Sequence, residues 1–268
     1  MDKLPFYQPG KNDAQILQLL EENYHFFDQS NFIEADPIQV PHSFSGKEDI
    51  EISALLTATL SWGNRKIIIR KARELIQRMD GAPYDFIVNA QKGDLKVFDG
   101  FVHRTFNSED CKLFISALQN IYCNYSGLRA VFENAYRQTG DIASSILFFR
   151  TMMLSGQSDV HFAKHLPNVV KSSACKRINM FLRWMVRNDS RGVDFGIWDK
   201  IPPSALMMPL DVHSGTIARE TGLLSFKQNN WQAVAELTSN LRQFDPDDPV
   251  KYDFALFGLG VTGSGKQN

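Results

Sequence analysis

Apolar side chains recur at helical spacing along almost the whole chain, and no segment alternates at the two-residue period of a half-buried strand. That pattern confines the fold to helices packed on helices. The spacing predicts helices over 14–27, 48–60, 65–79, 109–122, 127–138, 142–155, 175–187, 212–221, 231–244 and 250–259. Gly63 breaks the 48–60/65–79 pair, and Asn107 stands where a helix N-cap belongs. Loops are expected at 33–44, 81–83 and 188–204, and no internal repeat or low-complexity tract interrupts the series. With 268 residues, 43% of them hydrophobic, the chain can bury one sizeable core or two joined ones. No apolar window approaches a membrane span and Met1-Asp2-Lys3-Leu4-Pro5 does not open a secretory signal, so a cytoplasmic protein is expected. Cys111, Cys123 and Cys175 form no CxxC pair, which argues for free thiols and against a zinc site, a disulfide framework or an iron–sulfur cluster. No metal and no cofactor is expected.

Charge is balanced overall, with Lys+Arg 29 against Asp+Glu 30, yet it is segregated along the chain. Between 65 and 78, Arg65, Lys66, Arg70, Lys71, Arg73 and Arg78 face only Glu74. Between 171 and 191, Lys171, Lys176, Arg177, Arg183, Arg187 and Arg191 face only Asp189, on an amphipathic helix whose cations are expected to point outward. Acid gathers near the end, at Asp245, Asp247, Asp248 and Asp253. Two basic stretches beside one groove would suffice for phosphate contacts, although a charge run is usually a solvated helix face.

Behind the second basic stretch lies Leu210-Asp211-Val212-His213, running on to Gly222-Leu223. Asp211 reads as the N-cap of a short helix, with Ile217 and Ala218 facing inward and Gly222 ending it. An Asp before a short helix is most often only a cap. Lys176, alone, reads as a solvated residue that contacts phosphate.

Together these segments resemble the helix-hairpin-helix DNA glycosylase superfamily, which includes endonuclease III and the 8-oxoguanine glycosylases. The resemblance rests on Lys176-Arg177-Ile178-Asn179-Met180-Phe181-Leu182, on the Asp211 segment, and on LLTATLSWGN at 55–64 with the basic helix after it, covering roughly 50 to 225. The chain departs from the family at the hairpin, where Leu166-Pro167-Asn168-Val169-Val170 puts Asn168 and Val170 in place of glycines, and at 188–204, which looks like an insertion. As a whole it also looks like a bacterial family of proteins with no assigned activity. The resemblance implies an all-α, two-lobed fold with a groove between the lobes. Residues 48–174 would form a barrel-like lobe, and 1–47 with 175–268 the second. It implies double-stranded DNA containing a damaged base, such as an oxidised purine, as partner.

Cleaving an N-glycosidic bond builds positive charge on the sugar, which a fixed carboxylate stabilises more in the transition state than in the ground state. Asp211 would have that role, and Lys176 would attack C1′ and form a Schiff base that permits β-elimination, with Lys171 a rival because it sits closer to Leu166-Pro167, although the Asn179 match favours Lys176. An everted base needs stacking surfaces and edge-reading groups. Trp62, Asn64, Trp184 and Asp253 are the expected pocket, with Trp198 beside it. Lys171, Arg177, Arg183, Arg187 and His213 would meet the DNA backbone. For each Trp taken singly, burial in a core is the simpler explanation and stands ahead of a pocket role. Two other readings stand: a nucleic-acid-binding protein that keeps the scaffold without the chemistry, and a helical protein-interaction module whose basic helices meet acidic partners. His213 and Ser214 beside Asp211 do not make a hydrolase, since no nucleophile elbow occurs. His103-Arg104 could bind phosphate but reads more simply as a surface or capping pair. The Asp245-Pro246-Asp247-Asp248-Pro249 run reads as a turn capping the next helix, and the glycines from Gly258 onward do not open a helix after a strand.

Overall fold

The computed structural model describes residues 6–156 and 159–263. Among them the chain is all-helical, with no strand beyond two isolated bridges. In order the α-helices are α1 (Asp13–Phe27), α2 (Phe32–Ala35), α3 (Lys47–Leu60), α4 (Arg65–Gln77), α5 (Pro83–Asn89), α6 (Ser108–Asn124), α7 (Gly127–Thr139), α8 (Ile142–Leu154), α9 (Lys176–Val186), α10 (Val212–Glu220), α11 (Trp231–Leu241) and α12 (Tyr252–Gly263). Short 3-10 turns join several of them. No described helix is long and apolar enough to cross a membrane.

Two compact units share these elements: one holds both chain ends, through residue 32 and from 169 onward, and the other holds 33–168. The sequence reading put the joints at 47/48 and 174/175. The first moves back because the turns Pro37–Gln39 and Pro41–Ser43, in a stretch expected to be loop, pack on α3. The second moves because Ser173 bridges to Asn230 and the Trp231 N–H donates to Ser172 O, tying 169–174 to α11.

In the chain-end unit α12 is the central element. Its sequence is apolar on every face, as a helix surrounded by neighbours requires. α1 packs on it through Ile16, Leu20 and Tyr24, spaced one turn apart, and α10 packs on it as well. Both approaches depend on glycine. A Cβ at Gly258 would fall 2.2 Å from the Phe27 ring, and one at Gly260 would fall 2.6 Å from the His213 carbonyl oxygen. The glycines serve close helix packing here.

The middle unit is built around α3, most of whose residues are buried. α7 and α8 pair through the stacked rings of Phe132 and Phe149, with centroids 5.0 Å apart. Its helix starts are well specified. Asn107 and Asp110 form a reciprocal capping box on α6, Asn64 caps α4, and Asp141 accepts from the N–H groups of Ala143 and Ser144 on α8. Such caps stabilise by roughly 1 kcal/mol each.

Candidate functional site

α9 begins abruptly. Cys175 takes a left-handed conformation (φ 51°) and its N–H donates to Ser173 Oγ, so the first helical side chain is Lys176. From there Lys176, Asn179, Arg183 and Arg187 follow one another at three- and four-residue steps, which stacks them along a single face of the helix. This polar stripe runs from partly exposed at Lys176 to buried at Asn179, Arg183 and Arg187.

Each cation of the stripe meets acid, while Asn179 Nδ2 donates to the carbonyl oxygens of Ala174 and Met208. Lys176 Nζ lies 3.5 Å from Asp211 Oδ2, bringing together two residues far apart in sequence. Asp211 is held from both sides: Met208 and Leu210 are buried just before it, and Asn229 Nδ2 donates to its carbonyl oxygen at 2.7 Å. Its Oδ1 caps α10 by accepting from the Ser214 N–H at 3.0 Å, and the Ser214 hydroxyl faces the Asp211 N–H at 3.0 Å. One carboxylate oxygen therefore belongs to the helix start and the other is turned to the lysine. Arg183 pairs with Asp194 and with Asp253, whose Oδ2 is 2.5 Å from Nη1. Burial pushes the Asp253 carboxyl up to about 6 against the pull of Arg183; the Asp211 charge adds to that rise and Lys176 opposes it. Asp253 thus feels the Lys176–Asp211 pair directly. Asn179, between Lys176 and Arg183 on the stripe, is 1% exposed, and its Oδ1 has no hydrogen-bond partner among the described residues.

Arg183 and Arg187 correct the expectation of outward cations. They are 3% and 1% exposed. Arg187 pairs with Asp28, Asp189, Asp194 and Asp248 and donates to the Tyr24 hydroxyl at 2.7 Å. Neither can meet a DNA backbone, because burial of a guanidinium is tolerable only with carboxylates at its edges. The carboxylates outnumber the guanidinium groups in this cluster, so burial also drives Asp28 up to about 6, and raises Asp194 and Asp248. Trp184 is likewise corrected. It is fully buried, so it is core and offers no face to a base. The 188–204 segment packs back on α9: Phe195 N–H donates to Trp184 O, Trp198 N–H to Met185 O, and the Trp198 and Phe181 rings meet edge to face at 5.4 Å.

The remaining candidates are dispersed. Lys171 is exposed and Arg177 is half-buried. His213 is half-buried on α10, edge-on to Phe257 at 5.8 Å. Trp62 and Asn64 belong to the middle unit, where Trp62 is 51% exposed under the Arg104 guanidinium and Asn64 caps α4. His103 is buried with Nε2 2.9 Å from Leu60 O. Asp245 accepts from the N–H groups of Asp247 and Asp248, forming the turn before α12. Asp194 carries no sequence signal that sets it apart, since the 188–204 segment also holds Asp189 and Asp199.

Residues 36–262 match a family described as a protein of unknown function, DUF2400. The chain belongs to that family. The match takes in every member of the α9 stripe together with Asp194, Asp211 and Asp253. No curated protein and no solved structure matches the chain.

Proposed function

We propose that this DUF2400 chain is a DNA repair glycosylase that excises a damaged base, with Lys176 as nucleophile and Asp211 as its electrostatic partner. The observation that carries the reading is the 3.5 Å approach of Lys176 Nζ to Asp211 Oδ2 at the one end of the α9 stripe that stays open to solvent. An amine that attacks C1′ and a carboxylate that stabilises the charge on the sugar must face one atom of substrate, and these two groups are close enough to do so. Asp253 supports the reading as a proton-exchanging neighbour, since a carboxyl poised near 6 can hold or release a proton close to neutrality. Attack of the neutral Lys176 amine at C1′ breaks the glycosidic bond, and the base leaves with the bonding pair and takes up the proton that the amine gives up. The sugar ring opens to the Schiff base, loss of a C2′ proton expels the 3′ phosphate, and water hydrolyses the imine to free the lysine.

The partner is double-stranded DNA with a flipped nucleotide, and the exposed face of α4, with Lys66, Arg70 and Arg73, is suited to phosphate. Borohydride trapping on duplexes carrying oxidised-purine, uracil or abasic lesions tests the assignment. A covalent adduct with at least one duplex, lost in Lys176→Gln, is expected. Asp211→Asn should slow base release by about 100-fold or more. No adduct and no base release from any of them would overturn the glycosylase reading. Salt-sensitive binding without base release would then favour a non-catalytic nucleic-acid-binding protein.

A further inference from the structure

Asp110, His161 and His165 bring three ligand atoms within 4.8 Å of one another in the middle unit. His161 Nδ1 is 2.8 Å from Asp110 Oδ1, and His165 Nε2 is 3.2 Å from Asp110 Oδ2. We propose that these three side chains bind a divalent transition-metal ion of the zinc class. The proposal is independent of the glycosylase reading, which uses other residues.

Two imidazoles and one carboxylate are the donor types such ions prefer. Donors around a tetrahedral ion with bonds of about 2.0–2.1 Å lie roughly 3.3 Å apart. The two histidine–carboxylate distances, 2.8 and 3.2 Å, need to open by at most about half an ångström, and the widest donor pair, within 4.8 Å, has to close by up to about 1.5 Å. With both imidazoles neutral, as a ligand imidazole must be, the three side chains carry one negative charge on a carboxylate that is 2% exposed. A divalent ion would reverse that charge to positive.

The ligands are fixed before any ion arrives. Asp110 is the third residue of α6, and its Oδ2 also accepts from the Asn107 N–H at 3.0 Å. His161 and His165 bracket the short 3-10 turn Phe162–Lys164, and their rings meet edge to face with centroids 5.2 Å apart. Asp159 Oδ1 accepts from the N–H groups of His161 and Phe162 and holds the start of the turn. Arg150 Nη1 donates to the carbonyl oxygens of Ala163 and Leu166 and holds its end. Phe162 is fully buried edge-on to Phe114, one turn beyond Asp110 on α6, which sets the two histidines against the carboxylate. Support of this kind keeps the three donors close together before an ion binds.

The surroundings are asymmetric. His165 is 7% exposed at its side chain and edge-on to the buried Phe106 ring at 5.1 Å, whereas the His161 side chain is 43% exposed. Three protein ligands with one open side leave a coordination position for water, the pattern of reactive rather than closed structural sites.

Untagged full-length protein, stripped with a chelator and titrated with ZnCl2, should take up one equivalent with a Kd at or below about 1 µM. The double variant His161→Ala/His165→Ala should weaken uptake at least about 100-fold, and His42→Ala should not. Unchanged uptake in a double variant that keeps its helical circular dichroism would overturn the proposal, as would no uptake by the parent at about 100 µM Zn2+. Should the double variant fail to fold, histidine side-chain 15N shifts of the parent decide. Zinc-induced shifts at His161 and His165 are expected, and shifts confined to other histidines would overturn the assignment.

Discussion

α4 and α9 are the two cation-rich helices of this chain, and the structure treats them in opposite ways. On α4 the cations Lys66, Arg70 and Arg73 are exposed, while Lys71 and Arg78 bracket Glu74 at 2.7 and 3.0 Å on the helix surface. On α9, Arg183 and Arg187 are buried among Asp28, Asp194, Asp248 and Asp253. The difference lies in the partners. α4 supplies its own single acid within one turn, whereas α9 draws its acids from α12, from the stretch after α1 and from the 188–204 segment. A run of cations therefore marks a surface only when no matching supply of distant acid exists elsewhere in the chain.

The largest effect should come from breaking the buried side of this contrast. Arg187→Ala strands several buried carboxylates and should destabilise the chain-end unit by about 3–5 kcal/mol in urea unfolding. A loss below about 1 kcal/mol would mean that the cluster is not held by that guanidinium.

A smaller effect should appear in pH dependence. Asp253 titrates in the folded state at about 6, above the ordinary carboxylate value of 3.8. A carboxyl raised in this way binds its proton more tightly in the folded state. Its contribution to stability is complete below about pH 4 and is lost as pH rises through 6. Asp253→Asn removes that loss, so its stability should climb relative to the parent by roughly 2 kcal/mol between pH 4.5 and 6.5. Denaturant curves at both pH values, running parallel for the two proteins, would contradict it. Asp28, also near 6, stays in both and leaves the comparison clean.

The exposed side should respond least. Arg70→Ala and Arg73→Ala should each change stability by no more than about 0.5 kcal/mol. If α4 meets phosphate, each should lower the salt dependence of duplex binding by about one unit of log–log slope. A stability loss as large as that of Arg187→Ala would erase the distinction between the helices.

Most of the helices were legible because apolar periodicity is a local signal: α3, α6 and α9 were expected at nearly their observed limits, and the capping roles of Asn107 and Asp211 followed from residue type alone. α5 escaped because it is only seven residues long and opens directly after a turn at Pro83. The convergence of Lys176 with Asp211 came from a resemblance in the order of motifs; spacing by itself cannot bring two distant side chains together. What failed was direction. Arg183 and Arg187 were expected outward, because the polar face of an amphipathic helix is ordinarily its solvent face and the helical pattern carries no sign of the distant acids that enclose it; Trp184, a pocket candidate for which core burial was the simpler explanation, is core. The acids that enclose them were visible near the chain end, but nothing local pairs an acid with a cation sixty or seventy residues away. The approach of His161 and His165 to Asp110 left no local signal, because the acid lies 51 residues upstream of His161.

Gly260 has one further consequence. Its missing side chain lets the carbonyl of His213 settle against α12, and Asp211 stands only two residues upstream of that contact. The reach of the carboxylate toward Lys176 is therefore gauged by a residue that touches neither of them. A single added methyl group at that crossing would act as a wedge, tilting the first turn of α10 and pulling the acid away from the amine while leaving both chemically intact.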